Sequence, residues 1–246
     1  KTRDWKVPNL FFLAIVIVFS ILFSIIGRRG YGESTKIHSF TLADHINKDQ
    51  YFIKQWSNIF VTSGDNYSLT HKSSGAQYAS PSNYEMSTVI DQSNSSFIAD
   101  IPLFSSKQMI YTGKSTGTTF DLGSFEQQKK ISLKTKAKIT KAWFLINGKI
   151  YNAHDMKDSF TVGNKINYSS QLEYNSSSSQ AYKVIQQLVL KKCRDSDPLL
   201  TPIHKASPYF FALTISPKSF HSQGPLSQNE SGWTLHRFKL KPQRAL

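Results

Sequence analysis

The residues whose type and spacing best suit a chemical task are Lys134, Lys136 and Lys138, in "KKISLKTKAKITKAWFLINGKIY", residues 129–151. Side chains two apart on a strand share a face and lie about 6.6–7 Å apart. Three ammonium groups at that interval suit a row of phosphates or acidic side chains. The same spacing also serves an edge strand, where lysine blocks unwanted pairing. No aromatic residue is interleaved on the lysine face, which disfavours a base-stacking site for single-stranded nucleic acid. No helix-turn-helix, zinc-finger or RNA-module signature occurs either. An anionic lipid or an acidic protein surface is the partner such a face predicts.

His154, Asp155 and Asp158, in "AHDMKD", form the one tight grouping of histidine with carboxylates. They are weak metal candidates. The spacing matches no known metal loop, and turn chemistry accounts for the aspartates. No metal and no cofactor is therefore assigned. The histidines His38, His45, His71, His154, His204, His221 and His236 are scattered and form no H-E-x-x-H pair. There is no G-x-S-x-G elbow, no phosphate-binding G-x-x-x-x-G-K-S/T loop and no G-x-G-x-x-G turn. Tyr67, Tyr78, Tyr84, Trp143, Tyr209 and Trp233 could stack on sugars but suit half-buried sheet positions as well. The lone Cys193 cannot make an intramolecular disulfide and reads as an inert thiol. No catalytic residue is assigned.

The elements that must position these residues are mostly strands. In 131–140, Ile131, Leu133, Thr135, Ala137 and Ile139 alternate with Ser132, Lys134, Lys136, Lys138 and Thr140, which predicts one strand with an apolar and a cationic face. Asn147-Gly148 lies between "WFLI" and "KIY". A two-residue type I′ turn needs positive φ at both positions, which Asn-Gly accepts, so a hairpin with Phe144 opposite Tyr151 is expected. "SFIADIPLF", "KQMIYTG" and "TTFDLGSF" read as short strands, and "DSFTVGNKINYSSQLEY" as two strands around Gly163-Asn164. "SPYFFALTIS" and "GWTLHRFKLKP" supply two more strands. Leu42, Ile46, Ile53, Trp56 and Phe60 suggest a helix over 43–57, although the β-branched and aromatic content near 51–62 makes a strand possible for its second half, and Ala181, Val184, Ile185, Leu188 and Val189 suggest a second helix. Residues 63–96, rich in Ser, Asn, Gly and Tyr, read as loop with little strand.

Residues 7–27, "VPNLFFLAIVIVFSILFSIIG", carry no charge from Leu10 to Ile26. At 1.5 Å per residue they measure roughly 31 Å, about one hydrocarbon core. The run ends in Gly27-Arg28-Arg29 without a small-residue cleavage pattern, which favours an anchor over a signal peptide. Flanking basic residues tie, with Lys1, Arg3 and Lys6 before and Arg28, Arg29 and Lys36 after, so charge leaves the orientation open. A composition of 39% hydrophobic and 13% aromatic residues in 246 excludes a disordered chain. With 30 Lys+Arg against 16 Asp+Glu the protein is strongly basic and attracts anions.

The expected organisation is a cytoplasmic stub (1–6), a transmembrane helix (7–27), a linker (28–36) and a mainly β, β-sandwich-like extracytoplasmic domain with one or two helices (37–246). The near absence of cysteine fits a bacterial inner-membrane protein with a periplasmic domain. The expected role is a non-catalytic, single-pass subunit of a larger membrane assembly, meeting other membrane subunits and, through 7–27, the bilayer. Two alternatives are an anchored enzyme acting on an envelope glycan, and a subunit in the endoplasmic reticulum membrane. The second draws on N-x-S/T sequons at Asn66, Asn94, Asn167, Asn175 and Asn229.

Overall fold

The computed structural model describes residues 13, 15–22, 34–62, 65–72, 77–79, 88–91, 93, 96–102, 104–116, 120–123, 125, 130–156, 159–166, 207–216, 219–223 and 227–241. Within them the chain is mainly β. The strands are β1 (Ser34–His45), β2 (Gln50–Val61), β3 (Asp65–His71), β4 (Gln77–Ala79), β5 (Thr88–Asp91), β6 (Ser96–Ile101), β7 (Ser106–Thr116) and β8 (Phe120–Leu122), then β9 (Lys130–Thr135), β10 (Ile139–Ile146), β11 (Lys149–Asp155), β12 (Ser159–Lys165), β13 (Tyr209–Ile215), β14 (Phe220–Gln223) and β15 (Ser227–Lys239).

They form an eleven-stranded sheet in the order β4-β7-β2-β1-β15-β13-β10-β11-β12-β9-β8, and a four-stranded sheet in the order β14-β3-β6-β5. Near the middle of the large sheet, β1 and β15 pair in parallel from Ser34↔Ser227 to Asp44↔Arg237. The pairs flanking them, β1–β2 and β13–β15, are antiparallel. The small sheet shares a core with the β7-β2-β1 end of the large one: Tyr67, Leu69 and Ile101 pack with Ile37, Ile53, Ile59, Met109 and Tyr111. At the other end of the large sheet, Phe120, Ile131, Leu133, Phe144, Phe160, Phe210 and Phe238 form a second core. Trp143, Leu145, Tyr209, Phe211, Leu213 and Leu235 form a third. Trp143 and Phe144 are neighbours on β10 yet join different cores, because successive strand side chains point to opposite faces. Burying each such side chain contributes about 1.5–3 kcal/mol.

The hairpin forms as its turn chemistry dictates. Ile146 pairs with Lys149, Leu145 with Ile150 and Phe144 with Tyr151. Asn147 and Gly148 take φ of 51° and 71°.

Several expectations are corrected. The helix over 43–57 is instead the end of β1 and the start of β2. The stretch read as loop, 63–96, carries β3, β4 and β5 and leads into β6. Gly163-Asn164 is no turn but lies inside β12. The turn comes earlier, between Asp155 and Ser159, with Met156 N donating to Ser159 O at 2.8 Å. Gly163 suits this strand because a Cβ there would sit 2.3 Å from His154 Nε2 across the hairpin. The register between β11 and β12 shifts between Tyr151 and Ala153, beside that glycine. β1 begins at Ser34, inside the stretch read as linker. The helix expected over 181–189, and Cys193, lie outside the described residues.

Of residues 7–27, only Leu13 and 15–22 are described. They are helical, and their large apolar side chains are 39–57% exposed. Among the described residues no helix is long and apolar enough to cross a membrane.

Candidate functional site

Across five adjacent strands of the large sheet, one row of side chains breaks the apolar face. Tyr111 on β7 pairs with Gln55 on β2, Gln55 with Thr41 on β1, Thr41 with Thr234 on β15, and Thr234 with Thr214 on β13. Residues in register share a face, so this row runs perpendicular to the strands. Gln55, Thr41, Thr234 and Thr214 are all buried. The next row along β1 and β2 is also polar, with Ser39 Oγ and Ser57 Oγ 3.2 Å apart. Buried polar groups are costly unless hydrogen-bonded, so such a row is informative where buried methyl groups are the norm.

Gln55, Thr214 and Thr234 hold side-chain partners within the protein, Thr234 Oγ1 lying 2.7 Å from Ser216 Oγ. Gln55 Nε2 donates to Ser57 Oγ at 3.2 Å, which leaves Gln55 Oε1 to accept from His71 Nε2 at 3.0 Å. His71, at the end of β3, stacks on Tyr111 with ring centroids 3.6 Å apart. On the other side, Thr214 Oγ1 donates to Thr234 O at 3.5 Å and accepts from His236 Nε2 at 3.1 Å. His236 Nδ1 then accepts from His45 Nε2 at 2.9 Å. Each histidine in these chains is read as neutral, with one nitrogen donating.

Burial enforces that neutrality. Desolvation lowers His236 to about 3, with a small contribution from His45. It lowers His71 to about 3, helped by the charge of Lys72. His45 is lowered to about 4 by burial, partly offset by the Asn47 backbone and the Asp44 carboxylate. Tyr51 is pushed up by burial, against a hydrogen bond from Ser115. At pH 7 these four side chains are therefore polar and uncharged.

The row floors a cavity of about 510 Å³. Its walls carry Thr41, Gln55, His71, Thr214, Thr234 and His236, with Tyr51 and the exposed Lys72 and Lys138 also lining it. Among the described residues no Asp or Glu lines it. His45 faces a second cavity, of about 570 Å³, together with Lys48, Phe120, Phe238, Lys239 and Lys241. The hydrogen-bonded His45–His236 pair thus stands between the two. Lys48 is ion-paired with Asp121 at 2.9 Å.

The lysines singled out from sequence are exposed but do not form one strand face. β9 ends at Thr135, where the Thr135 hydroxyl captures the Ala137 N–H at 3.1 Å and turns the chain. Lys134 stays on β9, and Lys136 and Lys138 lie in the bend before β10. Lys138 lines the polar cavity. Lys134 lines a smaller one of about 260 Å³ that also includes Asp155. His154 and Asp155 end β11 and are exposed, and Asp158 lies outside the described residues. No group of three or more histidine, cysteine or acidic residues suited to a metal occurs among the described residues. Of the aromatics considered for sugar stacking, Tyr67, Trp143 and Tyr209 are core residues and Trp233 is half-buried.

Three residues that the sequence did not single out as a group, His45, His71 and His236, are central to this geometry. They are far apart in the chain and share no motif. The one readable signal is that His236 alternates with Thr234 and Phe238 on one face of β15.

No protein-family model matches the chain, and no curated protein matches it. Among solved structures it is similar to the Mu homology domain of Fcho1 from Danio rerio with bound Eps15 peptide, at 7% identity over 85% of this chain and 96% of that one, with a TM-score of 0.38.

Proposed function

We propose that this chain is a non-catalytic, single-pass membrane-anchored subunit of a larger membrane assembly, with its sandwich-like β domain on the extracytoplasmic side. The observation that carries this reading is the exposed apolar helix at Leu13 and 15–22, where Ile17, Val18, Phe19 and Ile21 are each more than half exposed. A helix apolar on all sides is stable when lipid or other apolar helices surround it. The bacterial inner membrane is the proposed location, with residues 7–27 in the bilayer.

The domain engages an acidic protein surface through Lys134, Lys136 and Lys138, all of which are exposed. Exposed charges of this kind act on association rate and its salt dependence more than on fold stability. The test is copurification of the full chain with its native assembly in mild detergent. Co-elution that weakens with salt, and that falls roughly tenfold or more in the Lys134→Glu, Lys136→Glu, Lys138→Glu triple variant, is the expected result. Undiminished co-elution of the triple variant rejects the basic-face reading. A domain that stays protected when protease is added to spheroplasts rejects the orientation.

A second reading, a glycosylated subunit of the endoplasmic reticulum membrane, is favoured by one observation. Asn229, in the sequon Asn229-Glu230-Ser231, is exposed on β15. A mobility shift on deglycosylation supports it, and unmodified Asn66, Asn94, Asn167, Asn175 and Asn229 remove its main support.

A further inference from the structure

We propose that the polar cavity between β2, β1, β15 and β13 is a binding site for a small phosphate-bearing polyol, either free or as the headgroup of a lipid. This goes beyond the subunit role, because the cavity's lining overlaps the proposed partner face only at Lys138.

Three features of the cavity set the ligand class. Its volume of about 510 Å³ lies within the small-molecule range of about 300–1,000 Å³. Its floor is a register-matched row of hydroxyl and amide side chains, Thr41, Gln55, Thr214 and Thr234; Gln55, Thr214 and Thr234 already hold partners in the protein, and the second Gln55 N–H and the remaining oxygen lone pairs are what a polyol would meet. Among the described residues its charged lining residues are Lys72 and Lys138, both exposed, and no described carboxylate lines it to oppose an anion. The potential inside is therefore positive, and an ammonium is a natural partner for a phosphate oxygen.

The same inventory argues against other classes. A neutral sugar site usually offers carboxylate acceptors or a flat aromatic platform, and among the described residues here Tyr51 is the one lining aromatic besides the histidines. A cation would meet two lysines. A purely apolar ligand would cover the exposed lysine ends and the polar lining without offering them any partner in place of water.

The test uses the full chain in phosphatidylcholine nanodiscs, with binding read by calorimetry against glycerol 3-phosphate, inorganic phosphate and glycerol. Glycerol 3-phosphate is expected to bind, more tightly than phosphate and much more tightly than glycerol. The Lys72→Gln, Lys138→Gln pair is expected to weaken it about tenfold or more, while the Lys134→Gln, Lys136→Gln pair leaves it unchanged. Thr214→Val, nearly isosteric, is expected to weaken glycerol 3-phosphate more than inorganic phosphate. A second arm measures co-sedimentation of the discs with vesicles containing phosphatidylglycerol. Binding in that arm alone identifies a lipid headgroup, and binding in the first arm alone identifies a soluble ligand. Equal binding of glycerol and glycerol 3-phosphate, equal weakening by the two lysine pairs, or no binding in either arm overturns the proposal. None of these results bears on copurification with a protein assembly, so the two readings fail separately.

Discussion

At the scale of single residues, the buried histidines make stability depend on acid. His45, His71 and His236 are held neutral, with ordinary values near 6.5 lowered to about 4, 3 and 3 by burial. Below 6.5 the unfolded chain binds protons that the folded chain refuses, so stability falls as pH drops from 6.5 toward these folded values. The melting temperature of the wild type is expected to decline steadily between pH 6.5 and 4. Replacing His236 by Gln is expected to flatten part of that decline. A decline of the same steepness in the variant would show that other groups dominate.

A different dependence is expected at Asp44. Arg237 donates to its carboxylate twice, from Nε at 2.9 Å and Nη2 at 2.6 Å, with both side chains largely buried. Asp44→Ala would leave the guanidinium buried beside Tyr209, and is expected to cost about 3–5 kcal/mol in urea unfolding. Little of this was legible in advance. Histidine and arginine carry no periodic signature, and their pairings join residues up to 193 positions apart.

At the scale of elements, legibility followed the polarity of the buried face. Asn147-Gly148 announced its hairpin because the demand for positive φ is local. β2 was only half legible, open to helix as well as strand, for a physical reason. Its buried positions are Ile53, Gln55, Ser57, Ile59 and Val61, and the two polar ones hide the alternation that reveals a strand. Those two belong to the polar rows beside the cavity, so the site candidate masked the strand that carries it. The cationic strand was half legible. Alternating burial persists from Ile131 to Thr140, but the Thr135 hydroxyl breaks the strand.

Two glycine substitutions separate conformational from steric cost. Gly148→Ala meets no atom within 4 Å and should lose about 1–2 kcal/mol through its left-handed φ alone. Gly232→Ala would place a Cβ 2.3 Å from the Ser39 backbone oxygen, pushing β15 from β1. A loss of about 1–3 kcal/mol or more is expected, with weakened hydrogen-exchange protection along both strands. Protection lost at Gly148→Ala should instead stay within β10 and β11.

At the scale of the whole molecule, the mainly β class was readable from composition and alternation, but the assignment of strands to sheets was not. Nothing in 34–45 or 227–239 announces that these stretches lie side by side. Their parallel pairing ties the cores at the two ends of the large sheet together. Deleting 227–241 is therefore expected to abolish cooperative unfolding of the entire domain, measured by circular dichroism during heating, rather than to trim one edge.

That pairing also sets a timetable for biosynthesis. β1 leaves the ribosome early, yet the flank it will share with β15 stays vacant until residues 227–239 have emerged. Meanwhile its backbone donors and acceptors are available to any passing strand, which invites clumping. Stalled nascent chains ending before residue 227 should need a holdase to remain dispersed, and release of that holdase should coincide with translation of β15.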